Sequence, residues 1–259
     1  MTTSASSFYH IGFGRAELGP TPPTIAVLSG DPERAQMIAQ ERLRDAHTLS
    51  EHRGLNSYVG FLPNGRALLS ATSGMGAPSL SIVVNELVQV GIRTIIRIGT
   101  TGSIQPHVAA GSVVISHAAL CRQGAANDIA PVEYPAVADL YLTMALVNAA
   151  RDMHADFHVG ITASVDTFYE GQERSDISAN PSLLPQLHGM TETYRHLNVL
   201  NYEMECGTLF KMGSVYGFAA GCVCGVIAQR TVGENVLVDQ KSIAVDNAIG
   251  IALHAAEHI

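Results

Sequence analysis

Apolar residues in this chain follow two patterns. Short runs rich in β-branched side chains alternate with longer stretches of helical spacing, and glycine, proline and hydroxyl residues separate them. The first pattern predicts strands over residues 24–28, 66–72, 94–96, 112–119, 157–165, 199–204 and 218–228. The second predicts a helix that opens at Pro32, with Asp31 as its cap, and runs on through Arg34 and Ile38. It predicts another over residues 79–90, where Leu80, Val83, Val84, Leu87 and Val88 form one stripe and Gly91 is the stop. Further helices are expected over 136–151, from Glu205 onward, and over 241–258, the last with a stripe of Val245, Ala248, Ile249 and Ala252. Residues 123–134 read as loop, and a polar loop begins at Ser175 and reaches His196. His52-Arg53 lies in a polar segment before the strand at 66–72. No linker or repeat interrupts the alternation, so residues 1–259 read as a single α/β domain around a mostly parallel or mixed sheet.

Composition narrows the class. A chain of 259 residues with 47% hydrophobic content can bury one large core. No apolar stretch approaches the roughly 20 residues needed to span a bilayer. Residues 1–7 are polar and lack the pattern of a signal peptide, which points to a cytoplasmic protein. A net charge of −8 argues against a nucleic-acid partner. Lys211 and Lys241 are the only lysines, so arginine carries nearly all the positive charge, as suits bidentate binding of phosphate or carboxylate. Genomic base composition accounts equally well for scattered ones such as Arg42, Arg44 and Arg195. Cys121, Cys206, Cys222 and Cys224 lack zinc-type spacing, and Cys222 and Cys224 fall on one face of a strand as inert buried thiols. The 11 histidines look scattered, with no H-E-x-x-H or comparable pair, so no metal is expected.

The candidate chemistry gathers where strands end. Arg97-Ile98-Gly99-Thr100-Thr101-Gly102 follows the apolar pair Ile95-Ile96, and its glycines read as the end of that strand. A buried guanidinium needs an anionic partner, and none is adjacent in sequence. That leaves a ligand at the carboxyl end of the sheet or a distant carboxylate. Ser29-Gly30-Asp31-Pro32 joins a strand to a fresh helix N-terminus, a ready anion site to which Arg34 adds a full charge. Gly74 and Gly76 suggest a dinucleotide turn, but the next strand carries Arg97 and Thr100 where a Rossmann site wants an acid. Gln172 and Arg174, read as alternating in an extended loop, offer a donor, an acceptor and a planar fork to a flat heterocycle, with Phe168 to stack on its face. Glu205, beside Met204, either compensates a helix dipole or accepts from a ribose diol.

Four stretches carry a resemblance. They are Gly30-Asp31-Pro32-Glu33-Arg34, Arg97 to Gly102, Asp166-Thr167-Phe168-Tyr169 with Gly171-Gln172-Glu173-Arg174, and Asn201-Tyr202-Glu203-Met204-Glu205. Together the chain resembles the uridine phosphorylases of the nucleoside phosphorylase-I superfamily, from Tyr9-His10-Ile11-Gly12 to the last helix. The second stretch is general to the superfamily, and Gly171-Gln172-Glu173-Arg174 is specific to the uridine branch.

The resemblance implies a mixed, partly barrel-like central sheet flanked by helices. It also implies reversible phosphorolysis of uridine, and of deoxyuridine or thymidine, to uracil and the sugar 1-phosphate. By similarity Gly30, Arg34, Arg97 and Thr100 hold phosphate, with Arg53 from a neighbouring subunit. Thr100, Met204 and Glu205 hold the ribose, and a neighbour's His10 reaches its 5′-hydroxyl. Gln172 and Arg174 bind the uracil edge, Phe168 and Ile227 pack beside it, and Arg230 is an auxiliary group. Arg97, Thr100, Gln172, Arg174 and Glu205 are the catalytic set, and a homohexamer of three dimers is expected. No cofactor is implied beyond phosphate as co-substrate. A monovalent cation such as K⁺ at the dimer interface is the one candidate ion. Met75 and Ser79 match its ligands, while Gly54 stands where the familiar enzymes carry an acid. Ala228 replaces a bulkier apolar residue near the base. A purine phosphorylase or a water-using nucleosidase of the same superfamily is the alternative, followed by a non-catalytic nucleoside-binding homologue. Val226-Ile227-Ala228-Gln229-Arg230 lacks the aspartate of the purine branch, which favours a pyrimidine.

Overall fold

The structure, a computed structural model, describes residues 7–231 and 238–259, so most of the polar stretch at residues 1–7 lies outside the described residues. The chain opens with β1 (Ile25–Ser29), five buried residues that run into α1 (Pro32–Arg42). Asp31 caps α1 as its sequence predicts, its Oδ1 accepting from the Glu33 N–H at 2.9 Å. Next come β2 (Arg44–Ser50), β3 (Ser57–Phe61) and β4 (Ala67–Thr72), paired antiparallel in succession. Neither β2 nor β3 is expected from the hydrophobic pattern. β2 is a polar edge strand, largely exposed, without the alternation a half-buried strand shows. Gly60 in β3 lets the two approach, because a Cβ there would meet the Leu43 Cβ at 2.8 Å.

Helix α2 (Ala77–Val90) carries the expected stripe, with Val88 only partly buried, and stops at Gly91 in the left-handed region (φ 113°). Strand β5 (Thr94–Ser103) differs from its prediction. The glycines do not end it; it runs on to Ser103, and Arg97 lies mid-strand. A later strand pairs with it residue by residue, and Gly99 is the point of close approach. A Cβ there would meet the Cys224 Sγ at 2.8 Å and the Arg97 Nη2 at 3.0 Å. β6 (Val113–Arg122) leads to α3 (Gly124–Ile129), a short helix inside the stretch read as loop. α4 (Leu140–Asp152) begins later than the periodicity suggests. Residues 136–138 instead pair antiparallel with β6, where Val137 bridges Ala118, and Asp139 caps the helix by accepting from the Leu142 N–H at 2.8 Å.

β7 (Phe157–Val165) is followed by the polar loop, which ends in another unexpected helix, α5 (Met190–His196). β8 (Val199–Glu203), α6 (Cys206–Tyr216), β9 (Ala219–Gln229) and α7 (Val238–His258) complete the chain. The nine strands among the described residues join one sheet in the order β2-β3-β4-β1-β5-β8-β7-β6-β9. β9 also pairs with β5, closing β5, β8, β7, β6 and β9 into a five-stranded mixed barrel. The expected mixed, partly barrel-like sheet is therefore what forms. Among the described residues, the two largest apolar clusters clothe it. One packs α2 through Leu80, Val83 and Leu87 against Leu209 and Phe210 of α6. The other packs Leu142 and Leu146 of α4 against Ala248, Ile249 and Ala252 of α7. No helix among the described residues is long and apolar enough to cross a membrane.

Candidate active site

A cavity of about 540 Å³ opens along β5 and gathers most of the residues singled out in the sequence: Gly30, Arg34, Arg97, Thr100, Phe168, Gln172, Arg174, Met204, Glu205 and Ile227. A second cavity of about 460 Å³, between the start of α4 and the end of α6, is lined by none of them.

At one end, β1 delivers the N-terminus of α1 and β5 delivers Arg97. Arg34 reaches back so that its Nη1 donates to the Ile98 carbonyl at 3.4 Å. Burial lowers its basicity, with Asp31 and Arg97 pulling in opposite directions. Arg97 meets both expectations set for it. Its Nε donates to the Glu203 Oε2 at 3.0 Å and its Nη2 pairs with the Glu205 Oε2, so distant carboxylates hold it. Its Nη1 is buried without a hydrogen-bond partner among the described residues, which leaves a donor for an anion. Burial opposes the guanidinium charge, and Glu205 and Glu203 more than offset it, keeping Arg97 firmly charged.

Glu203 is the residue the sequence reading missed. It has no exposed side-chain surface and takes four donors: Arg97, the Ser164 hydroxyl, and the N–H groups of Glu205 (2.7 Å) and Cys206 (2.8 Å). The helix-compensating role considered for Glu205 thus falls to Glu203, which satisfies the start of α6. Glu205, freed from capping, accepts from the Gly76 N–H at 2.5 Å and faces the cavity. Burial raises its carboxyl above the usual range, Arg97 pulls it back, and Glu203 pushes the same way as burial. Of the two hydroxyls beyond Arg97, Thr101 is committed to the sheet, donating to the Tyr202 carbonyl at 2.5 Å.

At the other end, the segment bearing Gln172 and Arg174 is a tight turn rather than an extended run. The Arg174 N–H donates to the Tyr169 carbonyl at 2.7 Å, and Glu173 between them holds φ at 51°. Both side chains still line the cavity, because the turn places them together. The Arg174 Nε donates to the Gln172 Oε1 at 3.3 Å, and the guanidinium lies 4.4 Å from the Phe168 ring centre. Glu173 anchors this turn by accepting from the Gly189 N–H at 2.6 Å and from Thr191 at the start of α5. Burial would raise its carboxyl, and these hydrogen bonds hold it below the usual range. Burial, reinforced by the like charge of Arg230, lowers Arg174 to about 10. Arg230 stands behind the wall, over the Tyr202 ring at 5.3 Å, rather than lining the cavity. Gly102 of β5 and Ala228 of β9 are in register at this end, and a Cβ on Gly102 would meet the Arg174 Nη2 at 3.4 Å.

His10 and Arg53 are not brought to the cavity. The His10 Nδ1 lies 2.6 Å from the Glu86 Oε1, and the Arg53 guanidinium sits over Tyr9 at 5.6 Å. Arg53 also holds a left-handed backbone, φ 58°, which is costly for a side-chain-bearing residue. Met75 lines the cavity, and the Ser79 hydroxyl donates to the Ser73 carbonyl at 2.7 Å. Lys241 lines the cavity and was also missed; the signal on offer was its being one of two lysines. Cys222 and Cys224 do share a face, with their sulfurs 3.7 Å apart, and burial pushes the neighbouring Cys206 thiol up to about 12. The histidines are less scattered than they looked, since His254 and His258 stand one turn apart on α7 with Glu257 beside them.

Comparison with known proteins agrees with this geometry. Residues 24–257 match the model of the phosphorylase superfamily. The uridine phosphorylase of Haemophilus influenzae is 41% identical over 254 residues, 97% of this chain and 98% of its own. The uridine phosphorylase of Thermococcus kodakarensis is 38% identical over 220 residues, 85% of this chain and 78% of its own. The guanosine phosphorylase of Halorubrum lacusprofundi is 30% identical over 238 residues, 89% and 92% of the two chains. A barrel-backed cavity with arginines at both ends, and these matches along nearly the whole sequence, make this chain a member of the phosphorylase superfamily.

Proposed function

We propose that this chain is a pentosyltransferase of the uridine phosphorylase type, converting uridine and phosphate to uracil and ribose 1-phosphate. The observation that carries the site assignment is the order of groups along β5. Arg97 and the Arg34 contact at Ile98 lie at one end, Thr100 in the middle, and Gly102 against Arg174 at the other. These span about 16 Å of strand, a length that takes phosphate, sugar and base in line.

In this reading Gly30, Arg34, Arg97 and Thr100 take phosphate. Thr100, Met204 and Glu205 take the ribose, and Glu205 accepts from its diol. Gln172 and Arg174 take the imide edge of the base, Phe168 and Ile227 flank it, and Arg230 reinforces the positive field. Breaking the glycosidic bond places positive charge on the sugar and negative charge on the departing base. Phosphate stabilises the first and Arg174 the second as it develops, so no nucleophilic side chain is required. The lowered basicity of Arg174 fits this role, because a guanidinium repelled by Arg230 gains most from an arriving anion. Among the described residues the base end offers an amide and a guanidinium and no carboxylate; the carboxylates lining the cavity are Asp31, Glu203 and Glu205. That favours a pyrimidine leaving group over a purine.

His10 and Arg53, held outside their own cavity by Glu86 and Tyr9, are assigned to the site of a neighbouring subunit in a homohexamer of three dimers. Cytoplasmic pyrimidine salvage is the setting this reading assigns. Phosphate is the co-substrate and no cofactor takes part; K⁺ at the dimer interface would have Met75 and Ser79 as ligands but no acid at Gly54.

The test is uracil release followed by absorbance, with and without phosphate. Release only with phosphate is expected. Release in both would make the chain a nucleosidase and remove the phosphate assignments. Release from guanosine or inosine but not uridine would move it to the purine branch.

A further inference from the structure

Outside the cavity, the last turn of α7 carries His254-Ala255-Ala256-Glu257-His258, a helical H-x-x-E-H pattern with two imidazoles at i and i+4. One donor atom from each of His254, Glu257 and His258 falls within 4.8 Å of the others, and the two rings are 4.4 Å apart. Both rings are oriented by a partner that can only accept. The His258 Nδ1 lies 2.7 Å from the His254 carbonyl, so it donates and leaves the Nε2 lone pair uncommitted. The His254 Nε2 lies 3.2 Å from the Asp152 Oδ2 at the end of α4, so it donates and leaves Nδ1 free. Metal-ligating histidines are usually held in this way, their second nitrogen donating to a carbonyl or carboxylate.

The turn itself is held in place. The Asn64 amide donates to the Glu257 carbonyl at 2.9 Å, and Arg66 donates to the Ala256 carbonyl at 2.9 Å, tying it to the β3–β4 hairpin. A cation there also sits at the negative end of a 21-residue helix.

We propose that His254, Glu257 and His258, with Asp152 behind His254, form a surface site for a divalent transition metal of the Zn²⁺ class. Two imidazoles and a carboxylate are a borderline donor set that suits Zn²⁺, Ni²⁺ or Cu²⁺ over Mg²⁺ or Ca²⁺. A tetrahedral ion wants its donors about 3.4 Å apart. The present spacing closes to that by rotation of side chains that are only partly buried. Water completes the coordination, so the site binds without the enclosing cleft that H-x-x-E-H hydrolases use. Since Asp152 belongs to α4 and His254 to α7, an occupied site braces these helices against each other.

The experiment titrates the untagged full chain, stripped with chelator, with Zn²⁺ alone in a calorimeter. One equivalent per chain is expected. His254→Gln or His258→Gln should each weaken binding at least about tenfold, with Asp152→Asn weakening it less, as outer partners do. Zn²⁺ should raise the melting temperature of the wild type and leave that of the double histidine variant unchanged. Uridine turnover should be the same in all variants, because none of these side chains lines the cavity. Substoichiometric binding, or equal binding by the double variant, overturns the proposal.

Discussion

Arg97 shows how one residue serves structure and chemistry together. Two of its nitrogens hold Glu203 and Glu205, and a third remains for a ligand. Glu205 carries a readable consequence. Its carboxyl titrates above the ordinary value of 4.5, so over that window the folded chain keeps a proton that the unfolded chain releases. Stability from this group therefore falls as pH rises from 4.5 through the raised value. Urea denaturation of wild type and Glu205→Gln across this range should give a difference that declines with pH; a rising difference would contradict the assignment. At the base end, Arg174→Ala should reduce kcat/KM for uridine by about 10²–10³, as loss of a preorganised charge does, and Arg174→Lys should recover part of it. Ala228→Val adds volume opposite Gly102. It should lower turnover of 5-methyluridine relative to uridine by about tenfold or more, the worth of misplaced methyl groups in an apolar pocket. Equal relative turnover would place the 5-position elsewhere.

Elements here hold their ends with carboxylates and meet through glycines. Asp139 caps α4, and Asp139→Ala should cost about 1 kcal/mol in a denaturant titration. β9 reaches α7 at Gly225, where a Cβ would come within 2.6 Å of the Ala244 backbone. Gly225→Ala should therefore cost about 1–3 kcal/mol, the usual penalty of overpacking. At this scale the strongly patterned elements were legible: α1 by its cap and proline, α2 by its stripe and glycine stop, β7 and β9 by their apolar runs. The polar edge strand β2 and the short helices α3 and α5 were not. Their stability comes from neighbours, as where Glu173 receives the first N–H groups of α5.

Across the whole molecule, the barrel brings residues distant in sequence to one cavity while His10 and Arg53 stay outside it. If those two complete a neighbour's site, Arg53→Ala and Arg174→Ala are defective in different ways. Mixed oligomers of the two inactive variants should then regain about a quarter of wild-type activity, since a twofold pair shares its sites and half of random pairs are mixed. Activity no greater than that of either variant alone would show that each chain completes its own site.

The sequence by itself determined the residue types of the site and the strands that carry them. A glycine before a helix start, an arginine among isoleucines, and a glutamine two residues before an arginine are local signals whose chemistry is costly without a ligand or partner. Only the tertiary structure decided which partners they have. Arg97 finds Glu203 and Glu205 because β5 and β8 pair antiparallel, and their alignment follows from barrel closure. β5 continues past its glycines because β9 supplies hydrogen bonds that no local pattern records. Glu203 and Glu205, two residues apart and alike in sequence, take different roles because one meets the α6 N-terminus and the other meets the cavity. Pairing across a sheet is non-local, and that is why it had to be seen.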